Sequence, residues 1–363
     1  MSKLQTTRHP GGKVAELRAL ATLTAEAALT ASPEKQITVL NAAKRLDDFA
    51  DGMERRKWKA LEQQAVAVLP ANATADEIRL SRRRQATRVG SDVYLPGWSV
   101  TARALPNAFL RSALFAAGRR VQSDNANLLA GGSTHLLSGE KLGTFKDITL
   151  TFSGYGLCQF DRLVYSTCLD YYRAIPLCSE GSLRYERTTF YEFASRMGNK
   201  YSVKAHKAIM ASLLRLSFAQ TRLRHKGMDI EVPELVSVKF EGSEPAEDFR
   251  GSDVLLLQVT TSVAELFGPG AWTAVDNEAA RYVGLRGWLA SFYAGHAHPK
   301  PLPVELLHQL CGYGSNKSNF RASLVRALEK LKNPTTPACS RVASYHISKD
   351  SKTIYVVRSS WVA

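Results

Sequence analysis

Two segments of this chain repeat one order of features. Each has a helical stretch, a short helix, a glycine-containing turn, a longer helix with a basic outer face, and then alternating strand-like sequence. One runs from about Gln159 to Phe240 and the other from about Asn277 to Arg358. Short helix, glycine turn and second helix is the shape of a helix-turn-helix, so the chain is expected to fold as α+β lobes.

In the first segment Ile148–Phe152 alternates apolar and polar residues, as a half-buried strand does. Gln159–Arg173 then places Phe160, Leu163, Val164, Thr167, Cys168 and Tyr171 on one helical face. Thr188–Met197 reads as a short helix ended by Gly198-Asn199, a natural left-handed stop. Ser202 is a good N-cap for a helix reaching Leu216. Ile209, Met210, Leu213 and Leu216 are expected inward; Lys200, Lys204, Lys207 and Arg215 project from the other side. Asn199, Ser202, Lys204 and Lys207 are the candidates for major-groove contact, where the first turns of a helix reach base edges and its flanks reach phosphates. Ala219–Arg224 should lead to a basic tip at His225-Lys226-Gly227 and return through Leu235–Phe240. Such a hairpin would be the wing of a winged helix, with Arg224 and Lys226 beside the DNA backbone.

The second segment opens with Asn277–Ala294, whose Ala280, Val283, Leu285, Trp288, Leu289 and Phe292 give a broad apolar face. Val304–Leu310 is a short helix, and Cys311-Gly312-Tyr313-Gly314 supplies the turn. Asn319–Lys332 follows, with Phe320, Leu324, Leu328 and Leu331 inward and Asn319, Ser323, Arg326 and Lys330 outward. Ser315, Asn316, Lys317 and Ser318 lie at its leading end. Tyr345–Ile347 and Thr353–Val357, joined through Lys349 and Lys352, form a second basic wing. Asn, Ser, Arg and Lys are the residue types that hydrogen-bond bases and phosphates.

Charge points the same way. The sequence holds 48 Lys+Arg against 33 Asp+Glu, a formal net charge of +15. A polyanionic partner is expected, because each phosphate neutralised by Lys or Arg releases condensed counterions.

Around these segments, residues 13–90 read as a polar, Ala-rich helical arm that ends in the basic run Arg82-Arg83-Arg84 and Arg88. Residues 91–140, broken by Pro96, Gly97, Pro106 and Gly131-Gly132, read as a linker and the opening of a folded domain. The expected fold is α+β: a helical, basic region over 1–100, a winged-helix domain over 101–260 and another over 261–363. The stretch near Gly242–Gly251 is expected to bridge the two reading lobes.

Several classes are set aside. Cys158, Cys168, Cys178, Cys311 and Cys339 form no CxxC pair, which argues against a disulfide framework and a zinc site; Cys158 and Cys168 are expected as small apolar groups on a helix. Met1–Gly12 lacks an apolar run and no stretch approaches a membrane span, so a cytoplasmic protein without membrane contact is expected. No phosphate-gripping GxxxxGK[ST] loop occurs. His296-Ala297-His298 with Tyr171-Tyr172 resembles a rolling-circle nickase set, but Gly295 and Pro299-Lys300-Pro301 flank the His pair where apolar strand residues are needed. No enzyme activity, cofactor or metal is expected. A winged-helix transcriptional repressor is the rival reading, to be told apart by binding an operator while leaving A·T-rich origin DNA paired.

Leu105-Pro106-Asn107 followed by Arg111–Phe115, the Ile148–Thr151 strand, Thr189–Phe193 and Leu310-Cys311-Gly312 together resemble the TrfA-type replication initiators of broad-host-range plasmids. The resemblance covers roughly residues 105–360, within the wider group of tandem winged-helix plasmid initiators. It implies binding to double-stranded origin repeats (iterons), opening of an adjacent A·T-rich region with contact to its single strands, and a monomer–dimer equilibrium. It also implies recruitment of the host initiator, helicase and sliding clamp. The family commonly carries a clamp-binding motif of the Gln-Leu-Ser-Leu-Phe kind before the Leu-Pro-Asn run; here that stretch is Asp92–Trp98.

Overall fold

The computed structural model describes residues 12–29, 32–65, 83–118, 136–145, 148–225, 227–241, 249–296, 299–314, 316–348, 350 and 352–359. Contacts divide the chain into two units, Met1–Val68 and Leu69–Ala363. Residues 101–260 and 261–363, expected as separate domains, both lie within the second unit.

The first unit is a pair of helices, Gly12–Leu29 and Pro33–Ala65, packed on each other. Its buried seam is Ala21 and Ala28 from one helix and Ala43 and Ala50 from the other. Each pair is spaced by seven residues, two helical turns, so small side chains recur on the touching faces and let the backbones approach closely. Leu20, Leu23, Ile37, Leu40 and Phe49 are exposed.

The second unit begins earlier than the sequence indicates. Thr87–Val89 pairs with Asp92–Tyr94, and Leu95 and Trp98 are buried in the core. Residues 91–118, read as part of a linker and the opening of a folded domain, are therefore folded: Pro96 and Gly97 are themselves buried, and the apolar residues around them pack inward. Arg83 and Arg84 are also part of this unit. The Arg83 guanidinium donates to the Arg173 carbonyl at 2.8 Å, and Trp272 Nε1 donates to the Arg84 carbonyl at 2.9 Å.

Two lobes of the second unit follow the same order. Each starts with a strand and a one-turn helix: Ala102–Pro106 with Asn107–Leu110, and Trp272–Asp276 with Asn277–Ala280. A buried helix comes next, Gln159–Tyr171 or Gly284–Ala294, then a strand, Glu186–Thr189 or Leu302–Pro303. A short helix follows, Phe190–Arg196 or Val304–Cys311, and a long one, Val203–Ser217 or Lys317–Lys332. Two closing strands complete each three-stranded sheet, and in both the last strand lies in the middle. The orders are Ser237–Glu241, Val254–Gln258, Glu186–Thr189 and Leu302–Pro303, Thr353–Arg358, Val342–Ile347. The lobes meet through their opening strands, which run antiparallel with Ala104 opposite Ala274.

This topology corrects two expectations. The hairpin with its tip at His225-Lys226-Gly227 is formed by Gln220–His225 and Met228–Val232, not by a return through residues 235–240. It joins a separate four-stranded sheet with Thr149–Tyr155 and Leu136–Leu142. Gly227, at φ +83, allows the tight reversal. The hairpin that closes the first lobe's three-stranded sheet is Ser237–Val254 onward, so residues 242–251 connect strands inside one lobe and do not bridge two.

The helix expected over Asn277–Ala294 is broken. It stops at Ala280 and restarts at Gly284, whose φ of +61 suits glycine. Val283 falls in the break and is 69% exposed, not inward. Cys158 is likewise off the helix, as the extended residue that precedes Gln159.

One residue ties the lobes most deeply. Arg162, on Gln159–Tyr171, is buried, and its guanidinium donates to the Ser291 hydroxyl and to the carbonyls of Ala280 (2.9 Å) and Tyr282 (3.4 Å). Burial lowers its pKa to about 10, which leaves it cationic at neutral pH. Trp288 Nε1 adds a bond from the second lobe to the Ser112 carbonyl at 3.1 Å.

Candidate nucleic-acid interface

The first long helix is set up by local chemistry. Thr189 and Glu192 form a reciprocal capping box for Phe190–Arg196: Glu192 N–H donates to Thr189 Oγ1 at 3.2 Å, and Thr189 N–H donates to Glu192 Oε2 at 3.1 Å. Gly198, at φ +79, ends that helix, and Arg281 from the other lobe donates to its carbonyl at 3.0 Å. Ser202 Oγ then accepts the Ala205 N–H at 3.1 Å and starts Val203–Ser217. Ile209, Leu213 and Leu216 are buried.

Asn199, Lys200, Ser202, Lys204 and Lys207 are all exposed, gathered on the turn and the first half of the helix. Val203 is exposed among them. Lys207 Nζ lies 5.1 Å from the centroid of the Phe249 ring, a cation–π contact. Phe249 also packs on His206, with ring centroids 4.7 Å apart, and its carbonyl accepts the Tyr201 hydroxyl at 3.3 Å. The chain thus re-emerges from residues 242–248 beside the basic end of the helix. His206 is stacked on Phe190, and burial holds its pKa below the ordinary imidazole value against the opposing pull of Asp253.

Arg215 corrects the expected outer face. Its guanidinium is buried and bonds Asp161 Oδ1 at 2.7 Å. Asp161 is also buried; Oδ1 further accepts the Ser212 hydroxyl at 2.7 Å, and Oδ2 accepts the Cys158 N–H at 2.8 Å. The second half of this helix is therefore covered by Gln159–Tyr171, and its basic residue holds two helices together. Arg224 is exposed but sits on the four-stranded sheet, where it and Arg222 grip Asp229. Lys226 lies outside the described residues.

In the second lobe Gly312, at φ +58, ends the short helix. Lys317–Lys332 buries Phe320, Leu324, Leu328 and Leu331. Asn316, Asn319, Arg326 and Lys330 are exposed, and Ser323 is half-buried. Ser323 Oγ accepts the Tyr313 hydroxyl at 3.4 Å and Arg326 Nη2 at 3.3 Å. Lys352 is exposed, with its carbonyl accepting the Val304 N–H at 2.8 Å. Ser315, Lys349 and the side chains of Lys317 and Ser318 lie outside the described residues.

Sequence reasoning missed Arg321, Val325, Phe249 and Tyr201. Arg321 is exposed and, with Ala322, Val325 and Arg326, lines a shallow hollow on the outer face of the helix. Helical spacing does not group Arg321 with Arg326, since five residues set it about 140° round the helix. Nothing local marks Phe249, which reaches the helix only through the sheet.

The residues weighed for strand cleavage are engaged elsewhere. Tyr172 is buried and donates to the Leu257 carbonyl at 3.0 Å, while the Tyr171 hydroxyl meets Thr188 Oγ1 at 2.9 Å. His296 is wedged against the Phe145 and Phe292 rings; His298 lies outside the described residues. No helix is long and apolar enough to cross a membrane among the described residues.

Comparison with known proteins gives a family. A family model described as "TrfA protein" matches residues 85–344. The "Plasmid replication initiator protein TrfA" of Escherichia coli is 24% identical over 243 residues, which are 65% of this chain and 58% of that protein. The match thus spans less than two thirds of that relative's length. Two crystal structures of domains 2 and 3 of RctB align at 14% identity. One has a TM-score of 0.42 and covers 70% of this chain and 99% of that chain; the other has 0.38, 66% and 92%.

Proposed function

The chain belongs to the TrfA protein family, and on that premise we propose that it is a plasmid replication initiator. Its two lobes act as winged helices that bind repeated double-stranded sites, iterons, at the plasmid origin. The observation that carries this reading is the family match, joined to two helices whose outer faces carry Lys204 and Lys207 in one lobe and Arg321 and Arg326 in the other. A helix of this kind fits the major groove, where its side chains reach base edges and phosphates.

The protein works by binding, without catalysis or cofactor. Engagement of neighbouring grooves promotes opening of an adjacent A·T-rich tract, whose single strands it contacts, and host initiator, helicase and sliding clamp follow. A monomer–dimer equilibrium and a cytoplasmic location belong to the same reading. Direct clamp contact through Asp92–Trp98 has little support, since Val93, Leu95 and Trp98 are buried in the core.

The test is footprinting of the purified protein on the DNA flanking its own gene, with a single-strand-specific reagent added. Protected direct repeats beside a tract that becomes reactive are expected. Protection of one operator with every base pair intact would instead make the protein a repressor.

A further inference from the structure

We propose that the hollow formed by Ala322 and Val325 on Lys317–Lys332 is a reader of thymine, recognising the 5-methyl group in the major groove. This inference rests on the proposed DNA reading and adds to it a base identity and the residues that select it.

The hollow is lined by Arg321, Ala322, Val325 and Arg326. Ala322 and both arginines are exposed, and Val325 is half-buried. The residues that face the core, Phe320, Leu324, Ala327, Leu328 and Leu331, occupy the other side of the helix. Ala322 and Val325 therefore contribute to no core, and Val325 is β-branched, a type that costs helix propensity. Their apolar floor is two small side chains wide and lies open to solvent, so a methyl group standing on a base edge can reach it.

The rim identifies the occupant. Arg321 and Arg326 stand on either side of the floor, so the ligand that brings an apolar group here is anionic. Arg326 is held along the helix by Nε to the Ala322 carbonyl and Nη2 to Ser323 Oγ, both 3.3 Å. The acid one turn further on, Glu329, is engaged by the Tyr345 hydroxyl at 2.6 Å and by Lys332 Nζ at 3.3 Å, which offsets its repulsion of phosphates. On a duplex, the group that matches an apolar floor within a cationic rim is the thymine methyl, the apolar feature among major-groove base edges.

The methyl can be removed without touching any hydrogen-bonding group. The full-length protein would be used to enrich duplexes from a random library, and each thymine of the enriched sequence would then be replaced singly by deoxyuridine. Burial of one methyl predicts a roughly fourfold loss of affinity at one or more thymines in the part of the site read by this lobe. That loss should vanish in the Ala322→Ser/Val325→Ser double variant. The ratio of thymine to deoxyuridine affinity is the readout, and a partly unfolded fraction leaves that ratio unchanged. Equal affinity at every position in the unaltered protein overturns the inference while leaving DNA reading intact. Methyl dependence that persists undiminished in the double variant overturns it too, by assigning the contact to other residues. Failure to enrich any duplex overturns the proposed function and this inference with it.

Discussion

Asn107 and Asn277 each anchor the start of the other's strand. The backbone and side-chain N–H groups of Asn107 donate to the carbonyls of Ala271 (2.7 Å) and Gly270 (3.0 Å). Those of Asn277 donate to Thr101 (2.8 Å) and Val100 (2.9 Å). The reciprocity is incomplete. Asn107 Oδ1 accepts the Thr273 hydroxyl at 2.6 Å, whereas Asn277 Oδ1 is buried with no partner among the described residues. The corresponding strand position, two residues into Ala102–Pro106, is Arg103, whose guanidinium is directed to the Arg196 carbonyl.

That difference predicts unequal costs. Asn107→Ala removes two side-chain hydrogen bonds and should lower unfolding free energy by about 2 kcal/mol, against about 1 kcal/mol for Asn277→Ala. Urea unfolding of the two variants checks the order; an equal loss would contradict it.

The buried Asp161–Arg215 pair makes a sharper prediction. Asp161→Ala strands a guanidinium in the core and should cost about 3–5 kcal/mol, while Arg215→Met with Asp161→Leu should cost far less. Chemical denaturation measures both. Arg215→Met alone should weaken DNA binding only to the extent that it unfolds the protein, so the salt slope of the folded fraction should stay unchanged.

Lys204 and Lys207 should behave in the opposite way. Alanine at either position is expected to leave the unfolding midpoint in place. Loss of binding by about 1–3 kcal/mol marks base contact, and a salt slope reduced by about one marks phosphate contact. Gel shifts across a salt series distinguish them. Phe249→Ala should mimic a weaker Lys207 effect, because it removes the ring beside that ammonium.

A pH prediction concerns the Gln220–Val232 hairpin. Hydrogen bonds from Arg222, at 2.8 and 2.6 Å, and from Arg224, at 3.1 Å, bring the Asp229 carboxyl down from 3.8 to about 2. The folded value lies below the unfolded one, so the contribution is fully present above the ordinary carboxylate range and is lost as pH falls through about 2. A carboxyl NMR titration should place the midpoint there, and Arg222→Gln should raise it toward 3.8.

Some helix starts and stops were legible because their signals are local: Ser202, Gly198 and Gly312 do in the structure what their side chains or backbone freedom suggest, whereas the break between Ala280 and Gly284 was not. Strand pairing was not. Gln220–His225 and Ser237–Glu241 both alternate, and nothing in either says that the first must join Thr149–Tyr155, some seventy residues earlier. Arg215 shows the same limit on a helix. Its spacing puts it with Lys204 and Lys207, but a wheel cannot tell which turn is roofed by Gln159–Tyr171. Leu95 and Trp98 were hidden by their neighbours, since Pro96 and Gly97 signal an exposed break, whereas both are buried along with them.

The Arg162 anchorage has a consequence for target length. Its guanidinium must leave a hydroxyl and two carbonyls at once if the lobes are to twist apart, which would strand a desolvated cation. On the proposed DNA reading, the lobes would therefore act as fixed jaws, a gauge set during folding. One extra base pair between the two contact points turns the second by about 35° around the duplex axis, which the gauge cannot follow. Spacer length in the target should then be as strictly specified as any base within it.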